Sequence, residues 1–451
     1  MSTKVFTVFL GKPEDEGGWP HVGFSCMERA EYLLSKLRSL NQHIDFVNGG
    51  IVYNPEDVTI IYNKLKEASG IDGVLIYGLG ANRLIPSTAM LLDSGYPTIL
   101  GTDVFGGDKF FLYLHDIARK KNVPSLAVSS LDIRELKEAL DLIDILHCLK
   151  GQRILIIEDS RDSSDQAHFW RRQYEKYVQQ AKNLFGIEVL GLDPKELLEY
   201  YKKQEEGKAS ILAQEWIETA QSVVEPTQRE IIKSAKLYLA MKSLLRDKKA
   251  KVITIDCLSL FYAHKLPAYP CLGFWQLNNE GLLGVCQADL ESAITQLVGQ
   301  SLTKRPGFVS DPVFDTPNSK IIYAHCVAPT KVFGKERTAV PYKIRSHAED
   351  RKGAALEALM PPGEVLTTVK INLLARKTAI HQAESVGSME TERGCRTKLV
   401  AKANVATILE NWDFNTFGWH RVTFFGDFRR IFFNFARLAG LSIVEEDKEG
   451  R

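Results

Sequence analysis

Several things are scarce in this chain, and each scarcity excludes something. Its basic and acidic residues nearly cancel, 57 against 56 for a formal charge of +1, so it lacks the concentrated positive surface that phosphate-driven nucleic-acid binding needs. No apolar run approaches the roughly 20 residues that span a bilayer, so no membrane partner is expected. The seven cysteines, at 26, 148, 257, 271, 286, 326 and 395, are odd in number and never spaced Cys-x-x-Cys. That argues against a disulfide scaffold or structural zinc and for a reducing compartment. Met1–Lys4 runs straight into strand-like Val5–Leu10 without the pattern of a signal peptide, so a cytoplasmic location is expected. Gly78-Leu-Gly80 follows a strand-like run, but position 83 is Arg. The Gly-x-Gly-x-x-Gly fingerprint therefore fails, which favours a tight turn over a phosphate cradle and disfavours a nucleotide-dependent oxidoreductase.

What is present is the composition of an ordinary globular protein, 45% hydrophobic and 25% charged over 451 residues. A single hydrophobic core stops growing near about 250–300 residues, so two or three domains are expected. Residues 1–150 alternate apolar runs (Val5–Leu10, His43–Tyr53, Gly73–Gly78) with amphipathic stretches, the rhythm of a parallel α/β sheet. The rhythm restarts at Arg153–Glu158, runs through a surface helix over Thr227–Arg246 and reaches a strand at Lys251–Asp256, which marks a second α/β domain over 151–305. After Arg305-Pro306-Gly307 the texture turns β-rich: Lys320–Tyr323, Glu364–Leu374, Thr397–Ala403 and Trp419–Phe425. This predicts a mainly antiparallel third domain, 306–451, ending in a helix over Asp427–Ala439 with Asp427 as N-cap and Gly440 as stop. Glu445–Arg451 reads as a solvated tail.

The chemistry-bearing residues gather around this change of texture. Gly281–Leu290 contains Cys286-Gln287-Ala288-Asp289; downstream stand Asp311 in Ser-Asp-Pro, His325 in Ile-Ile-Tyr-Ala-His-Cys, and His420 in Gly-Trp-His-Arg-Val-Thr-Phe-Phe-Gly-Asp. Carboxylate plus imidazole with open positions suits manganese or a similar divalent cation. Plainer roles exist for each. An aspartate before proline is most often a turn-former, a histidine on an apolar strand is as often core as ligand, and Cys286 and Cys326, without a charged partner, read as buried packing.

The same segments carry a resemblance. Cys271-Leu-Gly-Phe-Trp-Gln-Leu-Asn-Asn-Glu-Gly281 leading to Cys286-Gln-Ala-Asp289, Arg305-Pro, Asp311-Pro, Ala324-His-Cys-Val-Ala-Pro329, Pro362-Gly-Glu-Val-Leu-Thr367 and His420 through Asp427 resemble, in order and spacing, the L-fucose isomerase and L-arabinose isomerase superfamily. The resemblance covers most of the chain. It implies two Rossmann-like parallel-sheet domains followed by a β-rich, barrel-like domain, and a homo-oligomer, trimeric or hexameric, in which Asn82 and Arg83 reach a neighbour's sugar site. It also implies a manganese-type metal held by two acidic residues and a histidine, with a further histidine in arabinose-type members. Position by position, the first acid falls on Gln287, the second on Asp311, the extra histidine on His325 and the last histidine on His420.

The implied activity is aldose–ketose isomerisation of a monosaccharide or sugar derivative through an enediol. That reaction needs a group to move a proton between adjacent carbons and a metal to polarise the neighbouring oxygens. Gln287 keeps a coordinating oxygen but cannot accept a proton. Either Asp289 or another acid such as Glu349 replaces the lost base, with Asp311 as the surviving one, or the site binds sugar without turning it over. A working isomerase and a silent sugar-binding or regulatory paralogue are therefore both carried forward.

Overall fold

The computed structural model describes residues 2–159 and 165–449; the side chains of 165–173 are not among them. It divides into two compact units, residues 1–150 with 433–442 and residues 151–432 with 443–451.

The first unit is built on a five-stranded parallel sheet: β1 (Thr3–Leu10), β2 (Ile44–Val52), β3 (Gly73–Gly78), β4 (Thr98–Thr102) and β5 (Ser125–Ser129), in the order β2-β1-β3-β4-β5. Helices cross between strands because the sequence starts them decisively. Asn54 and Asp57 form a reciprocal capping box with Pro55 in the first turn, and Ser25 caps the helix Cys26–Leu40. The Gly78-Leu-Gly80 segment has a packing role. A side chain at Gly78 would lie 2.8 Å from the Gly107 carbonyl oxygen and one at Gly80 3.1 Å from the Trp19 carbonyl oxygen, so both glycines permit backbone to approach backbone.

The second unit holds the remaining strands. A four-stranded parallel sheet joins β6 (Arg153–Ile157), β7 (Glu188–Leu192), β9 (Val252–Ile255) and β10 (Leu283–Cys286) in the order β10-β9-β6-β7. A small sheet pairs β8 (Ser222–Val223), β13 (Tyr342–Arg345) and β14 (Ala355–Ala358). The β-rich segment closes a barrel from β11 (Phe308–Asp315), β12 (Lys320–His325), β15 (Pro362–Asn372), β16 (Lys377–Ser388), β17 (Thr397–Lys402) and β18 (Arg421–Phe425), with β19 (Ser442–Glu445) added beside β16. The ring β15-β18-β11-β12-β17-β16 shuts by the antiparallel pairing of β15 with β16, removing the free edges of an open sheet.

Across the barrel, Tyr323 on β12 meets His381 on β16, although β17 lies between them in the ring. These side chains, with Thr368 and Thr423, therefore point into the lumen. The opposite face of β18, Val422 and Phe424, packs against the glycines Gly299 and Gly307.

Two expectations need correcting. Glu446, assigned to a solvated tail, is fully buried and bound to Arg421 and His381; Gly450 and Arg451, the end of that expected tail, lie outside the described residues. The terminal helix runs Arg429–Leu438, so it starts two residues after Asp427, whose carboxylate accepts from Gln382. The stop near Gly440, at φ 67°, is as read, and the helix buries Phe432, Phe435 and Leu438.

Candidate functional site

Three adjacent barrel strands bring the site together. Ser310 on β11 pairs with Arg421 on β18, so the next residues outward, Asp311 and His420, face one another. On its other side Asp311 pairs with Ala324 of β12, and His325 is the last residue of that strand. Strand register alone thus gathers residues more than a hundred positions apart. Asp311, His325 and His420 each offer one ligand atom, and these atoms lie within 4.8 Å of one another.

The contacts within the cluster are unequal. His420 gives Nδ1–H to Asp289 Oδ2 at 2.8 Å, while its Nε2 stands 3.1 Å from Asp311 Oδ1. That second contact is an ion pair whose angles fall short of a hydrogen bond, which leaves Asp311 Oδ1 buried without one. Burial opposes charge on the His420 ring, but its two carboxylate neighbours outweigh this and push its pKa up to about 9.

His325 is 3% exposed, and its Nδ1 accepts the Cys326 backbone N–H at 2.9 Å. In the neutral ring the proton therefore sits on Nε2, a buried atom with no hydrogen-bond partner among the described residues. Burial keeps the ring neutral by lowering its pKa to about 4. The Asp311 oxygen that lacks a hydrogen bond and the Nε2 of His420 make a ligand pair of the kind that holds a divalent cation, with the Nε2–H of His325 beside them.

Gln287 and Asp289, the other residues singled out from the sequence, are placed differently. Gln287 is exposed, no hydrogen bond ties it to Asp311, His325 or His420, and its φ of 62°, followed by 52° at Ala288, puts two non-glycine residues in the left-handed region. Asp289 caps the helix Leu290–Thr303 by accepting from Ser292 N. It also accepts from Ser292 Oγ, Lys370 Nζ and His420 Nδ1. Burial opposes its charge, yet Lys370, His420 and Ser292 hold its carboxyl well below the usual range. An anion committed to so many donors is poorly suited to collect a proton from substrate.

His347 is buried, stacks on Tyr269 with ring centroids 4.2 Å apart, and burial lowers its pKa. Glu349, beside it, makes none of these contacts. Cys286 lies 2.9 Å from Cys257, sulfur to sulfur, and both are buried. The hydrogen bond between them and their burial push the Cys286 thiol up, away from nucleophilic chemistry. The residue that sequence reading missed is Lys370. A lysine within an apolar β-strand pattern was its only local signal, since its partners lie some eighty positions away.

The chain matches no protein-family model. Over 192 residues it is 22% identical to a sulfoquinovose isomerase from Clostridium sp. (strain MSTE9), a match covering 42% of this chain and 41% of that protein. Among solved structures it aligns with a solute-binding protein of an ABC transporter from Burkholderia multivorans (12% identity, 66% of this chain and 93% of that one, TM-score 0.19). It also aligns with an arabinose-binding protein from Geobacillus stearothermophilus (12% identity, 62% and 86%, TM-score 0.18). Superpositions this loose carry no argument about fold or ligand.

Proposed function

We propose that this protein is a sugar isomerase, a metal-dependent aldose–ketose isomerase acting on a monosaccharide or sugar derivative. The observation that carries the reading is the convergence of Asp311, His325 and His420 with two of their polar atoms buried without a hydrogen bond among the described residues. The partial likeness to a sulfoquinovose isomerase supports the same class and makes a sulfonated sugar worth including among substrates.

Asp311 and His420 would hold the metal, manganese being suited to a mixed oxygen and imidazole set. When bound, it would polarise the carbonyl and hydroxyl oxygens of the sugar and so ease loss of the proton between them. The chain's own residues divide the remaining work. His420 is fixed by Asp289, so that its Nε2 faces Asp311. His325, with its proton on Nε2, donates to a sugar oxygen; acting as a further ligand would require its ring to give up the Cys326 bond. Asp311 is the carboxylate placed to move a proton between adjacent carbons, since Asp289 is occupied and Gln287 cannot do so. The same reading carries the expectation of a homo-oligomeric cytoplasmic enzyme with no nucleic-acid or membrane partner.

Gln287 favours one competing reading, a sugar-binding or regulatory protein without turnover. Incubating the purified protein and Mn²⁺ with a panel of aldoses, sulfoquinovose included, and assaying ketose formation separates the two. Turnover that disappears in His420→Ala supports the enzyme. Sugar binding without turnover, with activity appearing only in Gln287→Glu, supports the silent protein and ends the isomerase reading for the native chain.

A further inference from the structure

Asp289 makes more contacts than a helix cap requires. Capping explains the bond from Ser292 N at 2.8 Å. It does not explain why Lys370, 2% exposed on β15, sends its ammonium to Asp289 Oδ2 at 3.0 Å and to Ser292 Oγ at 2.7 Å. Nor does it explain why the same Oδ2 takes Ser292 Oγ–H at 2.6 Å and His420 Nδ1–H at 2.8 Å. Burying a lysine–aspartate pair is weak evidence of a stability role, because desolvation of both charges offsets most of their attraction. The backbone just before it, Gln287 and Ala288 at φ 62° and 52°, is held in a conformation that non-glycine residues rarely adopt, and such strain persists where the surroundings over-determine a side chain's position.

These observations share one consequence. Oδ2 of Asp289 is fixed from two sides, by Lys370 and by Ser292, and can meet a histidine in one place only. The ring of His420 is then set in rotation: Nδ1–H points toward Asp289, and Nε2 is turned to Asp311, the nitrogen left to meet a cation. Carboxylates that fix a ligating histidine in this way recur around metal sites; here the carboxylate is itself anchored by a buried ammonium and a serine hydroxyl.

We propose that Lys370 is a positioning residue for metal binding, acting through Asp289 and Ser292 to hold His420 in its ligating orientation. The inference rests on the metal-dependent reading above. It also makes Asp289 a support for His420 in place of the missing base.

The test uses the full-length wild type, Lys370→Met and Ser292→Ala, each first shown to unfold cooperatively. Mn²⁺ affinity is measured by electron paramagnetic resonance and calorimetry, and the visible absorption of added Co²⁺ reports the geometry around the bound imidazole. Lys370→Met is expected to weaken Mn²⁺ binding about 10–100-fold, as loss of an outer-shell partner does, and to shift the Co²⁺ bands. Ser292→Ala, which keeps both charges and removes the hydroxyl between them, is expected to move affinity and bands in the same direction by less. If Lys370→Met does not fold, Ser292→Ala decides. Wild-type affinity and an unchanged Co²⁺ spectrum in the folded variants would overturn the role of Lys370 while leaving the metal reading intact. Absence of metal binding in the wild type would overturn the metal reading, and this inference with it.

Discussion

Two buried histidine–carboxylate clusters meet at consecutive residues, Arg421 in the barrel lumen and His420 just before β18. In the first, Arg421 donates to Glu446 Oε1 at 2.7 Å, His381 Nδ1 meets Glu446 Oε2 at 2.7 Å, and His381 Nε2 meets Tyr323 OH at 2.7 Å. The rest of the Arg421 fork reaches the carbonyls of Gly418 and His420, with its guanidinium 3.6 Å from the Trp412 ring centre. In the second cluster, Asp311 Oδ1 and His325 Nε2 are buried without hydrogen bonds. The residue types are alike, so type does not distinguish them; satisfaction does. A closed network locks a structure, and an open one keeps polar atoms available to a further partner.

The comparison breaks most decisively on stability. Removing one partner of the closed cluster, as in Glu446→Gln or Arg421→Met, leaves an uncompensated buried charge and is expected to cost about 3–5 kcal/mol. Asp311→Asn should stay within about 1 kcal/mol, because its Oδ1 makes no hydrogen bond that the substitution would remove. Urea unfolding of the three variants measures this, and equal losses would erase the distinction. Metal addition should then act on one cluster only. Mn²⁺ at a hundredfold excess over its Kd is expected to raise wild-type stability by about 2.7 kcal/mol. The gain should vanish in His420→Ala and persist in Glu291→Gln, as read by melting temperature against Mn²⁺ concentration.

A subtler effect lies between the clusters. Burial raises the Glu291 carboxyl, Lys370 pulls the other way, and Asp289 adds to the rise, leaving its pKa at about 7 against an ordinary 4.5. Between those values the folded chain keeps a proton that the unfolded chain has released. This group's contribution is therefore fully present below about pH 4.5 and lost as pH rises through 7. Glu291→Gln is expected to flatten that slope, so that its urea midpoint falls less than the wild type's between pH 4.5 and 7. An unaltered slope would place the titration elsewhere.

How much of this could be read from sequence follows from the range of the interactions. The change at Arg305–Gly307 from α/β rhythm to β-rich texture was legible because strand and helix periods are local, and the Gly78 turn because a failed fingerprint is local too. The buried Glu446 was not legible: a charged residue near the chain end looks solvated until Arg421 and His381, 25 and 65 positions away, are seen around it. Asp311 and His420 were found by motif, and antiparallel register explains why they meet. Whether Asp289 is free to take up a proton turns on its partners. Lys370, 81 positions away, and His420, 131 away, occupy it, and no local pattern could have shown that.

The smallest expected effect concerns which way a ring faces. His325 accepts the Cys326 N–H on Nδ1, so its Nε2 is a donor in the space shared with Asp311 and His420. Glutamine at this position can offer an amide N–H in place of Nε2–H, whereas alanine offers nothing. His325→Gln should therefore keep Mn²⁺ affinity and most turnover, while His325→Ala keeps affinity and loses turnover by about 10²-fold, the scale of one proton-donating group. A ligand role makes the opposite demand, that both variants lose metal together. Titrating Mn²⁺ into each variant and assaying the same samples distinguishes the two roles, because only a donor separates affinity from turnover. Loss of affinity in both would move His325 into the metal's coordination and bring the open cluster to three protein ligands.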